Sequence, residues 1–216
     1  MVPMSLVILA LAAPVPPDPP FPDGVQALLR KLNEPAAETR LEAIQQLRLL
    51  ARRADVSGGK RIRQGAEFAP KVKGLVPYLV RAAGDEAEQN RVAALYALAD
   101  TLDPAAVSAL RERLKDTSAA VRLSAACLLT EFKDAAGLDE MKVALARFRA
   151  DPKAAGTFDV EKLLASFERI TGKGFGEIPM NPLIMSDGRA AAASQKRYAE
   201  LLDTWAAWWA WEPGKK

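Results

Sequence analysis

The feature that most constrains this chain is a pattern that occurs three times at the same internal offsets, centred on Arg40, Arg91 and Arg122. An acid stands six positions before each arginine (Glu34, Asp85, Asp116), an alanine three after it (Ala43, Ala94, Ala125) and a leucine seven after it (Leu47, Leu98, Leu129). Offsets of three and seven return to one side of an α-helix, so each copy carries a small and a large apolar residue on one stripe. A short helical unit of this kind cannot cover its own apolar stripe; it does so by stacking on its neighbours. The expectation is therefore an all-α stack of helical pairs.

Helical periodicity and breakers place the elements. A short helix is expected over residues 24–32, interrupted by Asn33, Glu34 and Pro35, and a longer one over 37–54 with Leu41, Ile44, Leu47 and Ala51 on one side. The pair Gly58-Gly59 breaks the chain, and a helix follows over 70–83 bearing Val72, Leu75, Val76, Leu79 and Val80. Gly84-Asp85 turns into a helix carrying Val92, Leu95, Leu98 and Leu102. Asp103-Pro104 reads as N-cap and first helical residue of the next, which runs to about Leu114. A further helix is expected over 119–132. Two more, over 138–149 and 159–170, lack the arginine motif and read as a divergent end of the array. The last spans 188–211.

Composition agrees with helices and removes several chemistries. Half of the residues are hydrophobic but only 6% are aromatic, which favours helix over strand. The chain has no histidine, so Ser-His-Asp and Cys-His catalysis, histidine-ligated zinc and histidine pH switching are all excluded. The single cysteine, Cys127, sits in an apolar helical stretch and reads as a small buried side chain. A net charge of +3 is too small to imply nucleic-acid binding by itself.

The copies Glu34…Arg40, Asp85…Arg91 and Asp116…Arg122 resemble the acid and V-R-x-x-A core of HEAT repeats, in particular the short repeats of phycobilisome-lyase-like HEAT proteins. Arg91 and Arg122 are 31 residues apart, close to that repeat length, whereas Arg40 and Arg91 are 51 apart, so the first repeat carries an insertion. Only Val121 keeps the valine before the arginine; Thr39 and Asn90 replace it. The resemblance implies a HEAT-like α-solenoid and a role in binding another protein. Within it the six acids and arginines form a structural ladder, each arginine bridging a carboxylate and backbone carbonyls between layers. An anion-binding row is the alternative.

Four segments follow: a signal-like stretch (1–13), a proline-rich linker (14–22), the repeat array (23–171), and an irregular loop with a C-terminal helix (172–216). Residues 4–13 form a short apolar run ending in an A-x-A pattern at Ala10 and Ala12, too short to span a bilayer comfortably and suited to an export signal, although no Lys or Arg precedes it. The run Gly172-Lys173-Gly174-Phe175-Gly176 lacks the order of a phosphate loop and reads as a helix stop. All four tryptophans lie between 205 and 211. Together with the TGKGFG segment, this W-x-x-W-W tail resembles the C-terminal region of exported bacterial HEAT-repeat proteins. Tyr198, Trp205, Trp208 and Trp209 form either a lid on the end of the stack or an aromatic platform for a ligand.

Charge singles out the first repeat. Arg48, Arg52, Arg53, Lys60, Arg61, Arg63, Lys71 and Lys73 face only Asp55 and Glu67 between positions 48 and 73, a local net charge of +6. Insertions in solenoids emerge on one face, often the binding face, so these residues are the candidate contact with a partner. The expected function is a non-catalytic, exported interaction module or scaffold whose partner is another protein, an acidic one being suited to the basic segment. No cofactor, metal or catalytic residue is assigned, no nucleic acid is expected, and no transmembrane helix is expected in the mature chain. The alternatives are a HEAT-fold enzyme, DNA-glycosylase-like or lyase-like, or an envelope-associated structural protein held through the basic segment.

Overall fold

The computed structural model describes residues 21–51, 74–151, 157–179 and 186–211, and among these the chain forms nine α-helices, one 3-10 turn and no strand. The helices are α1 (Asp23–Lys31), α2 (Ala37–Ala51), α3 (Val76–Ala82), α4 (Glu88–Thr101), α5 (Ala106–Arg113), α6 (Ala119–Leu129), α7 (Leu138–Ala150), α8 (Thr157–Thr171) and α9 (Gly188–Trp211). The protein is all-α, and most element boundaries lie within two residues of the sequence expectation. Three places differ in detail. Residues 70–73 of the helix expected over 70–83 lie outside the described residues; among those described, Gly74 adopts φ +82° and α3 begins at Val76, with Pro77 in the first turn, where a missing N–H costs nothing. The regular part of α5 begins at Ala106, although the Asp103 carboxylate does accept from the Ala105 N–H. Phe21 and Pro22, expected in the linker, belong to the packed structure: Phe21 is buried edge-on against Tyr78, and the Pro22 carbonyl accepts the first α1 N–H groups.

The motif residues explain the packing order. Ala43, Ala94 and Ala125 are fully buried, as are Leu47, Leu98 and Leu129. A methyl at each alanine lets the neighbouring backbone approach while the leucine fills the space one turn on. Helices α2, α4 and α6, which carry the three arginines, accordingly pack in series, α2 on α4 and α4 on α6. Their shorter partners lie beside them, α1 on α2, α3 on α4 and α5 on α6.

Helix α6 separates two hydrophobic cores. Val121, Ala125, Leu128 and Leu129 join the core built from α1 to α5, while Leu123, Ala126 and Cys127 join the core of α7, α8 and α9. A helix that buries apolar residues on two sides serves two cores, and this one is the shared wall. The second core is completed by Met141, Leu145 and Phe148 of α7, Leu163, Leu164 and Phe167 of α8, and Tyr198, Leu201 and Trp205 of α9. Beyond α8, Gly172 stands at φ +69° and its N–H returns to the Glu168 carbonyl, so this glycine ends the helix.

The α6–α7 crossing requires a glycine. A Cβ at Gly137, the residue before α7, would stand 2.5 Å from the Ala126 Cα and 2.6 Å from its Cβ. Backbone cannot yield as a flexible side chain does. Gly137→Ala should therefore force α7 off α6 and lower stability by about 1–3 kcal/mol, read as a reduced midpoint in urea melts. An unchanged midpoint would mean that the crossing is loose.

Candidate functional site

The repeated arginines all make the same connections. In each, Nη1 donates to the carbonyls six and five residues earlier: Arg40 to Glu34 and Pro35 (2.9 and 2.7 Å), Arg91 to Asp85 and Glu86 (both 3.0 Å), Arg122 to Asp116 and Thr117 (2.9 and 3.1 Å). The rest of each guanidinium reaches forward to an acid, before α4 or α6 for the first two and in the first turn of α7 for the third. Arg40 grips Asp85 in a fork (2.7 and 2.9 Å), Arg91 grips Asp116 likewise (both 3.0 Å), and Arg122 donates to Glu140 at 3.1 Å. Each aspartate also accepts an N–H two residues on, Asp85 from Ala87 and Asp116 from Ser118, both at 2.9 Å. Glu34, the first acid of the series, gives its backbone carbonyl to Arg40, and no arginine of the repeated pattern precedes it to take its carboxylate.

These carboxylates are tuned for the ionised state. Burial opposes ionisation of Asp85, but the Arg40 guanidinium, the Ala87 N–H and the Asn90 amide outweigh it and hold the acid below its ordinary range. At Asp116, burial is likewise overcome by the Ser118 N–H, Arg91 and Arg113. Asn90, the departure from valine, is buried and donates to the Ala37 carbonyl at 3.0 Å, an additional tie between α4 and α2.

A small cleft lies where α4, α6 and α8 meet. It encloses about 130 Å³ and is lined by Tyr96, Cys127, Glu131, Lys162, Ser166 and Arg169, among others. Two cations flank the Tyr96 ring, the Arg48 guanidinium at 5.0 Å from its centroid and the Lys162 ammonium at 4.3 Å. Arg48 is held in place by a 2.6 Å bond to the buried Asp100. Arg169 donates to the Thr130 hydroxyl at 2.8 Å, and Thr130 and Ser166 both donate to the Cys127 carbonyl. Burial lowers the Lys162 amine to about 8, against the pull of Asp159 and Cys127, and raises the Cys127 thiol to about 11. It also raises the Tyr96 phenol far above its ordinary range, against the Ser124 hydroxyl. The cleft therefore combines an inert buried thiol, a protonated phenol and an amine poised near neutrality.

The aromatic residues of α9 divide by burial. Tyr198 and Trp205 are buried, with the Tyr198 Oη donating to the Pro179 carbonyl at 2.8 Å. Trp205 stacks on Phe167 at 5.0 Å and meets the edge of Phe175 at 4.8 Å. Trp208 and Trp209 are half-buried beside it, with the Lys142 ammonium 4.3 Å over the Trp209 ring. Trp211 is 77% exposed. Of the basic residues singled out in the first repeat, Arg48 stands over the Tyr96 ring, while Arg52, Arg53, Lys60, Arg61, Arg63, Lys71 and Lys73 lie outside the described residues, as do the apolar run and most of the proline-rich stretch. The cleft itself was not foreseen. Tyr96, Lys162 and Arg169 are polar or aromatic positions on helices of mixed polar and apolar composition, and nothing in their spacing says that they meet.

Among the described residues no helix is long and apolar enough to cross a membrane, and no group of three or more His, Cys, Asp or Glu side chains could hold a metal ion. No protein-family model and no curated protein matches the chain.

Two measurements test this geometry. Arg91→Ala removes the fork to Asp116 and should destabilise by about 1–3 kcal/mol at neutral pH. Because both aspartates are held below the unfolded value of about 3.9, their contribution is complete above that value and is lost as pH falls through the lowered native ones. The gap between wild type and Arg91→Ala in urea melts should therefore close below about pH 4; a gap that persists unchanged would assign it to packing. For Lys162, the side-chain carbon resonance should titrate near 8, below the ordinary lysine value of about 10.4, and vanish in Lys162→Met. From about pH 8 to about 10.4 the unfolded state holds the additional proton, so this residue's contribution to stability rises with pH there.

Proposed function

We propose that this protein is a HEAT-like solenoid, exported to the envelope or beyond, that acts without catalysis by binding another protein. The observation that carries this reading is the repeated arginine, which ties back to the carbonyls five and six residues earlier in all three copies. It reaches forward to an acid, in a fork at Asp85 and Asp116 and through one bond at Glu140, so that α2, α4 and α6 pack in series and build one extended surface. The cleft around Tyr96 lies on that surface, where Arg48 from α2, Tyr96 from α4, Cys127 from α6 and Lys162 from α8 converge. Aromatic and arginine side chains beside a small recess are the groups that anchor protein interfaces. The cleft suits one protruding side chain of the partner. The +6 charge of residues 48–73 favours an acidic partner and supplies long-range attraction. Helix α9 acts as the lid of the stack, in keeping with the burial of Tyr198, Leu201, Leu202 and Trp205 against α7 and α8.

Affinity capture from the envelope fraction of the native host, run in parallel with two variants, tests the proposal. The full chain should retain a discrete acidic protein; Lys162→Ala with Arg169→Ala should weaken retention at short range. Changing Lys60, Arg61 and Arg63 to glutamine should slow capture and reduce its salt dependence, since the Debye length falls from about 10 Å at 0.1 M to about 3 Å at 1 M. Equal retention by wild type and both variants would remove these surfaces from the interface, and an intact Met1 on soluble cytosolic protein would overturn the location.

A further inference from the structure

A second surface, on helices other than those of the cleft, carries an independent inference. Helix α1 packs on α2 and α3 packs on α4, and between α1 and α3 an open groove of about 410 Å³ remains. Ligand sites span about 300–1,000 Å³, so this groove has the size of a site rather than a packing gap. On α1 the residues facing it are spaced as one helical side, Gln26, Leu29 and Arg30, with Leu32 and Asn33 just past its end; on α3 they are Tyr78, Arg81 and Ala82. Leu29 and Ala82 are almost fully buried and form an apolar floor.

Its charge is one-sided. Arg30 and Arg81 are the charged residues lining the groove, one from each helix, and no Asp or Glu lines it. Neither guanidinium makes a side-chain hydrogen bond, ion pair or ring contact among the described residues. Most other described arginines do: Arg40, Arg48, Arg91, Arg122 and Arg149 pair with acids, and Arg169 with Thr130. The adjoining depression, which Arg81 also lines, holds three acids: Asp85 and Glu86 are engaged by Arg40, and the Glu34 carboxylate forms no ion pair with Arg30 or Arg81. Two uncompensated guanidinium forks on either side of an apolar floor are complementary to carboxylates on either side of an apolar side chain. The exposed Asn33 amide adds a donor and an acceptor of the kind that fixes a peptide backbone.

We infer that the α1–α3 groove binds a linear acidic segment of a partner protein, an apolar residue seated on Leu29 and Ala82 between carboxylates held by Arg30 and Arg81. This goes beyond the proposed interaction surface on α2, α4, α6 and α8 and does not depend on it.

The test is to pan a random heptapeptide display library against the immobilised full chain and to measure the selected peptides by fluorescence anisotropy. The inference expects enriched peptides with Asp or Glu on both sides of a Leu- or Phe-type residue. Affinity should fall about tenfold or more in each of Arg30→Gln and Arg81→Gln, the loss expected for one charge-assisted fork. Arg189→Gln, an exposed and equally unpaired arginine on α9, should leave it unchanged, and so should Lys162→Ala, which separates this groove from the cleft. Several results would overturn it: no enrichment over a bare surface, enrichment without acidic residues, or affinity indifferent to both groove arginines. Competition by inorganic phosphate as strong as by the peptide would reduce the groove to a simple anion site, and competition by a synthetic peptide of residues 14–20 would make the proline-rich stretch of this chain the occupant.

Discussion

Everything else in the first half of the molecule depends on how one guanidinium is used. An arginine at the third or fourth residue of a helix normally points into water. Here its Nη1 turns back to two carbonyls of the turn that precedes the helix, groups that a helix N-terminus does not engage, and the opposite edge reaches an acid ahead of the following helix. One side chain thus fixes the entry angle of its own helix and the distance to the next. The aspartate is fixed in turn by an N–H from its own turn, so neither member of the pair is free to choose another partner. Two largely buried opposite charges are tolerable because their lone pairs and protons are satisfied by backbone as well as by each other.

That geometry governs the hydrophobic part. With helix spacing set at the turns, Ala43, Ala94 and Ala125 can be no larger than they are, and Leu47, Leu98 and Leu129 fill what remains. At the last arginine-bearing helix the rule changes. Arg122 meets a glutamate on α7 in place of an aspartate in a turn, and α6 buries apolar residues on two sides, one in each core. The chain can therefore build a second core on the far side of α6, with the close contact between Gly137 and Ala126 taking over the spacing role. The aromatic cluster of Phe167, Phe175 and Trp205 fills that second core with a few large rings where the first uses many small residues.

The cleft is a by-product of this change. Where α8 crosses α6, its Lys162 is brought over Tyr96 of α4 and its Ser166 onto the Cys127 carbonyl. A lysine in this setting loses much of its hydration, which is why its amine is lowered while the thiol and phenol beside it are raised: desolvation penalises whichever form is charged. The groove between α1 and α3 arises differently, since the shorter helices follow their long partners and do not close on one another.

Sequence alone determined what depends on neighbours along the chain. The helices, their breaks at Gly84, Asp103 and Gly172, the burial of Cys127, and the three matched arginines follow from periodicity and turn chemistry, which act within a few residues. The link between Arg91 and Asp116 was within reach only because the motif repeats, so that the acid of one copy foretells the partner of another. Tertiary structure alone decided the rest. That Glu140 replaces an aspartate, that Glu34 offers a carbonyl and not its carboxylate, that Phe21 is core, and that Arg48 and Lys162 flank the Tyr96 ring all depend on which helix faces cross. The crossing is set by the summed packing of residues far apart in the chain, and no local spacing encodes that sum.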